Sequence, residues 1–135
     1  MQGSVDPSVL NQTAGPATSM LLLESAVGMM ALTVSGATSC TGTRSAGGKY
    51  TNYLTPLEVK FAGEVFKRTA GMGRAQANDI TNRLLPLYEA QLGQAPKGQS
   101  FAECYDVKAL KPSAEWQRIY DEVKETVIQA GIPLA

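Results

Sequence analysis

The 135-residue sequence contains no histidine. That absence removes both the commonest general base at neutral pH and the commonest metal ligand. Cysteine is nearly missing too. Cys40 and Cys104 stand 64 positions apart, with no metal-ligand spacing, and in a reducing compartment they read as free thiols in preference to a disulfide. Charge of one sign is lacking: 12 basic residues face 12 acidic ones. Without a basic surplus or a run of like charges, a nucleic-acid partner is not expected. No long hydrophobic run exists either. The most apolar stretch, Met20 to Leu32, holds Glu24 and Ser25 and is too short to cross a bilayer. No positive residue precedes it, which argues against a signal peptide. The expectations are therefore no nucleic acid, no membrane and a cytoplasmic location.

What is present is enough chain for one domain with a modest core. No period of 20 to 50 residues repeats, so an array is not expected. Three zones follow from composition. Residues 1–15 carry Gly3, Asp6, Pro7, Asn11 and Gly15 with little apolar content and read as an irregular leading segment. Residues 16–53 hold a helix and then a glycine-rich loop, and residues 54–135 read as a run of helices.

Pro16 suits a first helical turn, so the first helix is expected over Ala17–Ser35, with Gly36 as its stop. It is apolar around much of its circumference, a pattern normally buried on several sides. The rest of the chain offers little to cover it, so the helix is expected to belong inside a larger body. The second helix has a clear start. Thr55 is the N-cap, Pro56 suits N1 and Glu58 at N3 completes a capping box. Leu57, Phe61 and Val65 form its buried stripe, and Glu64 can pair with Arg68. A third helix is expected from Ala75 to Leu92, with Ile80, Leu84, Leu87 and Tyr88 on its apolar face and a kink at Pro86. Ala95 to Gly98 is a turn. Ser100 and Glu103 form a second capping box. The last helix opens at Pro112 and Ser113, carries Trp116, Ile119, Tyr120, Val123 and Val127 as its stripe, and closes at Gly131. Arg118 can pair with Glu122 along it.

Few residues signal chemistry. The loop Gly42-Thr-Arg-Ser-Ala-Gly-Gly48 is glycine-rich, and such loops can cradle phosphate. However, it is not a Walker A sequence and it lacks the dinucleotide glycine spacing. Carboxylates such as Asp121, Glu122 and Glu125 fall on a solvated helix face and do not make a catalytic pair. Cys104 has no cation nearer than Lys108, which argues against a reactive thiolate.

Several motifs carry a resemblance. They are Thr55-Pro-Leu-Glu58, Gly63-Glu-Val65, Leu87-Tyr-Glu89, Ser100-Phe-Ala-Glu-Cys-Tyr-Asp-Val-Lys108, Lys111-Pro-Ser-Ala-Glu-Trp116 and Tyr120-Asp121. In this order the chain resembles the carboxy-terminal part of the monomethylamine–corrinoid protein methyltransferases, the pyrrolysine-type methylamine methyltransferases. The register holds from Ala14 to Leu134, about nine-tenths of the chain. The resemblance implies a mostly α chain that is the C-terminal fragment of a (β/α)8 TIM barrel. It would supply the last barrel helix, a short strand near Thr38 to Thr43 and a helical extension.

The resemblance also implies methyl transfer from monomethylamine to the cobalt of a corrinoid protein. The pyrrolysine centre would lie upstream of this chain, so no catalytic residue and no bound cofactor are expected here, the corrinoid being carried by the partner. A family glutamine facing the pyrrolysine would fall at Val9, and Gln12 is close but out of register. In a β/α barrel, loops after strands lie on the active face. Arg44, Lys49, Tyr50 and Tyr53 would then sit on the rim that receives the corrinoid protein. Glu24 would either line the barrel mouth or bond to a neighbouring loop. Expected partners are the corrinoid protein and the remainder of the barrel or a further copy of the chain. The alternatives are a non-enzymatic docking or oligomerisation module, and a remnant marked by exposed apolar surface on the first helix.

Overall fold

A computed structural model of the chain describes residues 9–40 and 42–134. The chain is mostly α, as expected, and built around one β–α–β unit. Strand β1 (Val9–Asn11) is followed by α1 (Ser19–Val34) and β2 (Gly42–Arg44). The strands pair parallel, Val9 opposite Gly42 and Asn11 opposite Arg44. Parallel strands need a crossover connection, and α1 is that crossover.

This corrects the reading of residues 1–15 as irregular, at least from Val9 onward; residues 1–8 lie outside the described residues. It also corrects the expectation of a single strand, and moves that strand from 38–43 to 42–44. Three-residue strands are too short to show alternation, so the sequence carried no usable signal for them. Helix α1 starts two residues later than Pro16 suggested. Its N-cap is Thr18, whose hydroxyl accepts from Leu21 N at 3.3 Å and donates to Gly15 O at 2.7 Å. Ala17 has φ 65° and Pro16 lies outside the helix. At the other end Gly36 takes φ 96°, and Ala37 N returns to Leu32 O at 3.0 Å. Only a residue that tolerates positive φ makes this stop cheaply.

Helix α1 is buried within this chain, contrary to expectation. Met20, Leu21, Leu22, Leu23, Ala26, Met29 and Met30 are all buried. They share one core with Phe61 and Val65 of α2 (Pro56–Arg68), Ile80 and Leu84 of α3 (Arg74–Leu84), and Trp116 and Val127 of α5 (Ala114–Ala130). Stripes from three helices converge on one apolar rod, and removing that much apolar surface from water is the main term holding the fold.

Pro86 ends α3 instead of kinking it. The chain passes into 3-10 turns at Leu85–Leu87 and Glu89–Gln94. Three residues per turn rotate the side chains off the α register. Tyr88 still points inward, while Leu87, expected on the apolar face, is exposed. Ser100 and Glu103 cap a single helical turn, α4 (Phe101–Cys104), with Ser100 N donating to Glu103 at 2.9 Å. A short antiparallel hairpin, β3 (Tyr105–Asp106) with β4 (Lys111–Pro112), follows unannounced by the sequence. In α5, Ser113 caps the start, and Trp116, Tyr120, Val123 and Val127 are buried, whereas Ile119 is half-buried. Arg118 pairs with Glu115 at 2.6 Å and Glu122 at 2.7 Å; Glu64 and Arg68 do not pair among the described residues.

One long-range contact fixes the site's floor. Gly15 N donates to Pro96 O at 3.0 Å and Gln99 N to Pro16 O at 2.8 Å. The two backbones lie so close that a Cβ on Gly15 would stand 1.7 Å from Lys97 O, and one on Gly98 2.1 Å from Pro16 O.

Candidate functional site

Both strands point their C-terminal ends, Asn11 and Arg44, the same way, and the segments that leave those ends wrap around each other. After β2 the chain makes a tight turn over Ser45–Gly48, in which Ala46 takes φ 52° and Gly47 φ 65°. The left-handed conformation is costly for alanine. It is held by two short backbone bonds to the segment after β1: Ala46 N to Ala14 O and Gly47 N to Gln12 O, both 2.7 Å. Gln12 is fully buried at the centre. Its amide donates to Ser25 Oγ at 2.8 Å and accepts from Arg44 N at 3.2 Å, while Ser25 Oγ donates to Leu21 O. Its side-chain nitrogen reaches α1, while its side-chain oxygen and both backbone groups bond to Arg44 and Gly47. Its role is to clamp the two loops.

The structure brings four of the five expected rim residues together. Arg44, Lys49 and Tyr50 are exposed and Tyr53 is half-buried. Tyr50 and Tyr53 stack tilted with ring centroids 5.0 Å apart. A recess of about 370 Å³ runs between Arg44, Ser45, Tyr50 and Tyr53, and a second of about 360 Å³ lies between Thr13, Lys49, Tyr50, Gln94 and Lys97. Glu24 is not among them. Its carboxylate accepts from Thr13 N at 2.9 and 3.1 Å, Thr13 Oγ1 at 2.9 Å and Ala14 N at 2.9 Å. It bonds to a neighbouring loop, the second of the two roles considered for it, and braces the segment that supports Ala46. Tyr88 lies close enough to Glu24 that burial and then this carboxylate push its hydroxyl above the ordinary range. Val9, where the family glutamine would fall, is a residue of β1.

Lys97 is a rim residue the sequence reading missed. Its ammonium sits 4.6 Å from the centroid of Tyr50 and 5.6 Å from that of Tyr53, within cation–π range. Nothing in the Ala95–Gly98 turn announces this, because Lys97 reaches the tyrosines only through the close approach of Gly15 to residues 96–98. With Arg44 and Lys49 it makes the rim basic and aromatic, and residues 42–54 contain no carboxylate to offset it. The rim thus suits a polar, anionic surface. Among the described residues no cluster of three His, Cys, Asp or Glu is placed to hold a metal.

Beneath the rim lies a second missed element. Glu58, read from sequence as a cap only, is completely buried. It accepts from Thr55 N at 3.0 Å, Thr55 Oγ1 at 2.6 Å and Ser45 Oγ at 2.6 Å. Burial raises its pKa above 4.5, and the bonds from Ser45 and Thr55 oppose that rise. The indole of Trp116 donates to Thr55 Oγ1 at 3.1 Å. On the same side Cys104 is buried, and desolvation followed by the Glu58 charge pushes its thiol up to about 11. Cys104 is therefore no nucleophile at neutral pH. Both cysteines are free.

Among the described residues no helix is long and apolar enough to cross a membrane. Compared with known proteins, the chain matches a family model described as monomethylamine methyltransferase MtmB over residues 8–132. It is 40% identical over 119 residues to the monomethylamine methyltransferase MtmB of Methanosarcina mazei, and 38% identical to one from Methanosarcina barkeri; each alignment covers 88% of this chain. Its fold superposes on the crystal structure of the Methanosarcina barkeri enzyme and on that of a hydroxylamine MtmB complex. Both give a TM-score of 0.79 at 35% identity over 90% of this chain. The chain spans 26% of the length of these relatives and structures, and its β–α–β unit is barrel architecture. On the model match and the shared fold, the chain belongs to the monomethylamine methyltransferase MtmB family.

Proposed function

We propose that this chain is the carboxy-terminal portion of a monomethylamine methyltransferase, and that its rim receives the corrinoid protein whose cobalt accepts the methyl group. The observation that carries the reading is the gathering of Arg44, Lys49, Tyr50 and Tyr53 after the C-terminal end of β2. That end of the strands is where β/α barrels do their chemistry. The chain supplies no acid, base or nucleophile to the reaction; the methyl-transfer centre belongs to the portion of the family upstream of this segment. What the chain contributes is a docking surface: basic groups that steer an anionic partner, and tyrosines that give rigid apolar contact with a polar edge.

The test is methyl transfer from monomethylamine to corrinoid cobalt, followed by the cobalt absorbance, with this chain assembled into a complete barrel. Replacing Arg44 and Lys49 together by glutamate raises KM for the corrinoid protein by about tenfold, more at low salt, and leaves kcat nearly unchanged. A KM that does not move with either charge or salt sinks the docking role. A second reading, a docking or oligomerisation module without its own turnover, is favoured by one observation: α1 finds its core inside this chain. The two readings separate in the same assay, since a module binds the corrinoid protein or its own barrel without turnover.

A further inference from the structure

The rim loop and the C-terminal helix are far apart in sequence, yet a continuous set of buried hydrogen bonds joins them. Trp116 Nε1 of α5 donates to Thr55 Oγ1; Thr55 Oγ1 donates to Glu58 Oε2; Ser45 Oγ donates to Glu58 Oε1. Trp116, Thr55, Glu58 and Ser45 are all at most 2% exposed. Ser45 is the residue between exposed Arg44 and left-handed Ala46. Helix capping alone needs only the Thr55–Glu58 half of this arrangement. Ser45 adds nothing to the cap, and a carboxylate that merely capped α2 would ordinarily face water.

We infer that Glu58 is a positioning residue: through Ser45 it locks the turn Ser45–Gly48, and through Thr55 it makes that lock depend on the seating of Trp116 in the core. The helical extension then sets the backbone that presents Arg44 and Lys49. The physical reason is that left-handed Ala46 is held against its conformational preference by bonds to the segment after β1, Ala46 N to Ala14 O and Gly47 N to Gln12 O. The Ser45–Glu58 bond ties the same turn to α2. A buried carboxylate pays heavily to lose a partner, so the pin is stiff.

The consequence for corrinoid-protein docking rests on the reading proposed above, but the positioning role does not. The experiment is amide hydrogen exchange on the full chain, read at Ala46 and Gly47, whose amides make the two 2.7 Å bonds. Ser45→Ala leaves the α2 cap intact and is expected to speed exchange at both amides by about tenfold while the α1 core amides stay as they are. Thr55→Val is expected to do the same and to shift the emission of Trp116, the only tryptophan. Thr55→Ser restores both readouts. Unchanged exchange at Ala46 and Gly47 in Ser45→Ala overturns the proposal, as does an equal rise throughout the core. A Trp116 shift in Thr55→Val with no change at the turn also overturns it, because transmission then stops at Thr55. If exchange responds as expected but KM for the corrinoid protein does not, the positioning stands and the docking role of the rim fails.

Discussion

Ser45 Oγ donates to Glu58 Oε1 at 2.6 Å, joining the turn after β2 to the first turn of α2 at a point fully removed from solvent. The bond has a price that depends on pH. Burial raises the Glu58 pKa above the 4.5 it has when exposed. A carboxyl whose folded pKa is raised contributes stability that is present below the unfolded value and is lost as pH rises through the folded one. Glutamine at this site does not titrate. The stability of the native chain relative to Glu58→Gln should therefore fall as pH is raised from below 4.5 to neutrality. Urea unfolding of both proteins across that range measures it, and a constant difference would mean that the hydrogen bonds cancel the desolvation.

Tyr120 is buried, and its hydroxyl finds no partner among the described residues. Desolvation, then Glu64 and Asp121, push it up to about 12. Its ring meets Phe61 edge-on at 5.8 Å. Tyr120→Phe keeps the ring contact and removes an unsatisfied group, so it should be neutral or stabilise by up to about 1 kcal/mol. A loss of more than that on thermal or urea unfolding would mean the hydroxyl is satisfied in solution, by water.

Gly15→Ala should be among the most damaging single changes in the chain. The new methyl would stand 1.7 Å from the carbonyl oxygen of Lys97. The obstacle is backbone, which cannot swing aside like a side-chain tip. The expected cost is about 3 kcal/mol or more, with loss of the Gly15–Pro96 bond and displacement of Lys97 from the tyrosine pair. Wild-type stability in this variant would show that the two segments separate freely.

The two thiols should differ in reactivity. Cys40 is partly exposed and Cys104 is buried with its pKa pushed up to about 11. At mildly alkaline pH, iodoacetamide should modify Cys40 within minutes and Cys104 only on unfolding. Peptide mass mapping reads both sites, and equal labelling in the native chain would contradict the buried placement of α4.

Much of the fold was legible because its signals are local. Thr55 with Glu58, Ser100 with Glu103, Gly36 and Gly131 mark helix ends through bonds that span three or four residues. The stripes of α2 and α5 follow the helical period. The rim was half-legible: Arg44, Lys49, Tyr50 and Tyr53 were named as a group because they share one loop. Lys97 was not, since it lies more than forty residues away and reaches them over a backbone contact that no pattern encodes.

Sequence by itself determined the presence of the long helices, the capping boxes at Thr55 and Ser100, and the family, because capping, periodicity and motif order are properties of neighbours along the chain. Tertiary structure decided the rest. It paired β1 with β2, strands too short to leave a trace. It covered α1 from three sides and turned the Glu58 cap into a buried link between Trp116 and Ser45. Each depends on residues brought together across tens of positions, where burial and steric fit choose the partner.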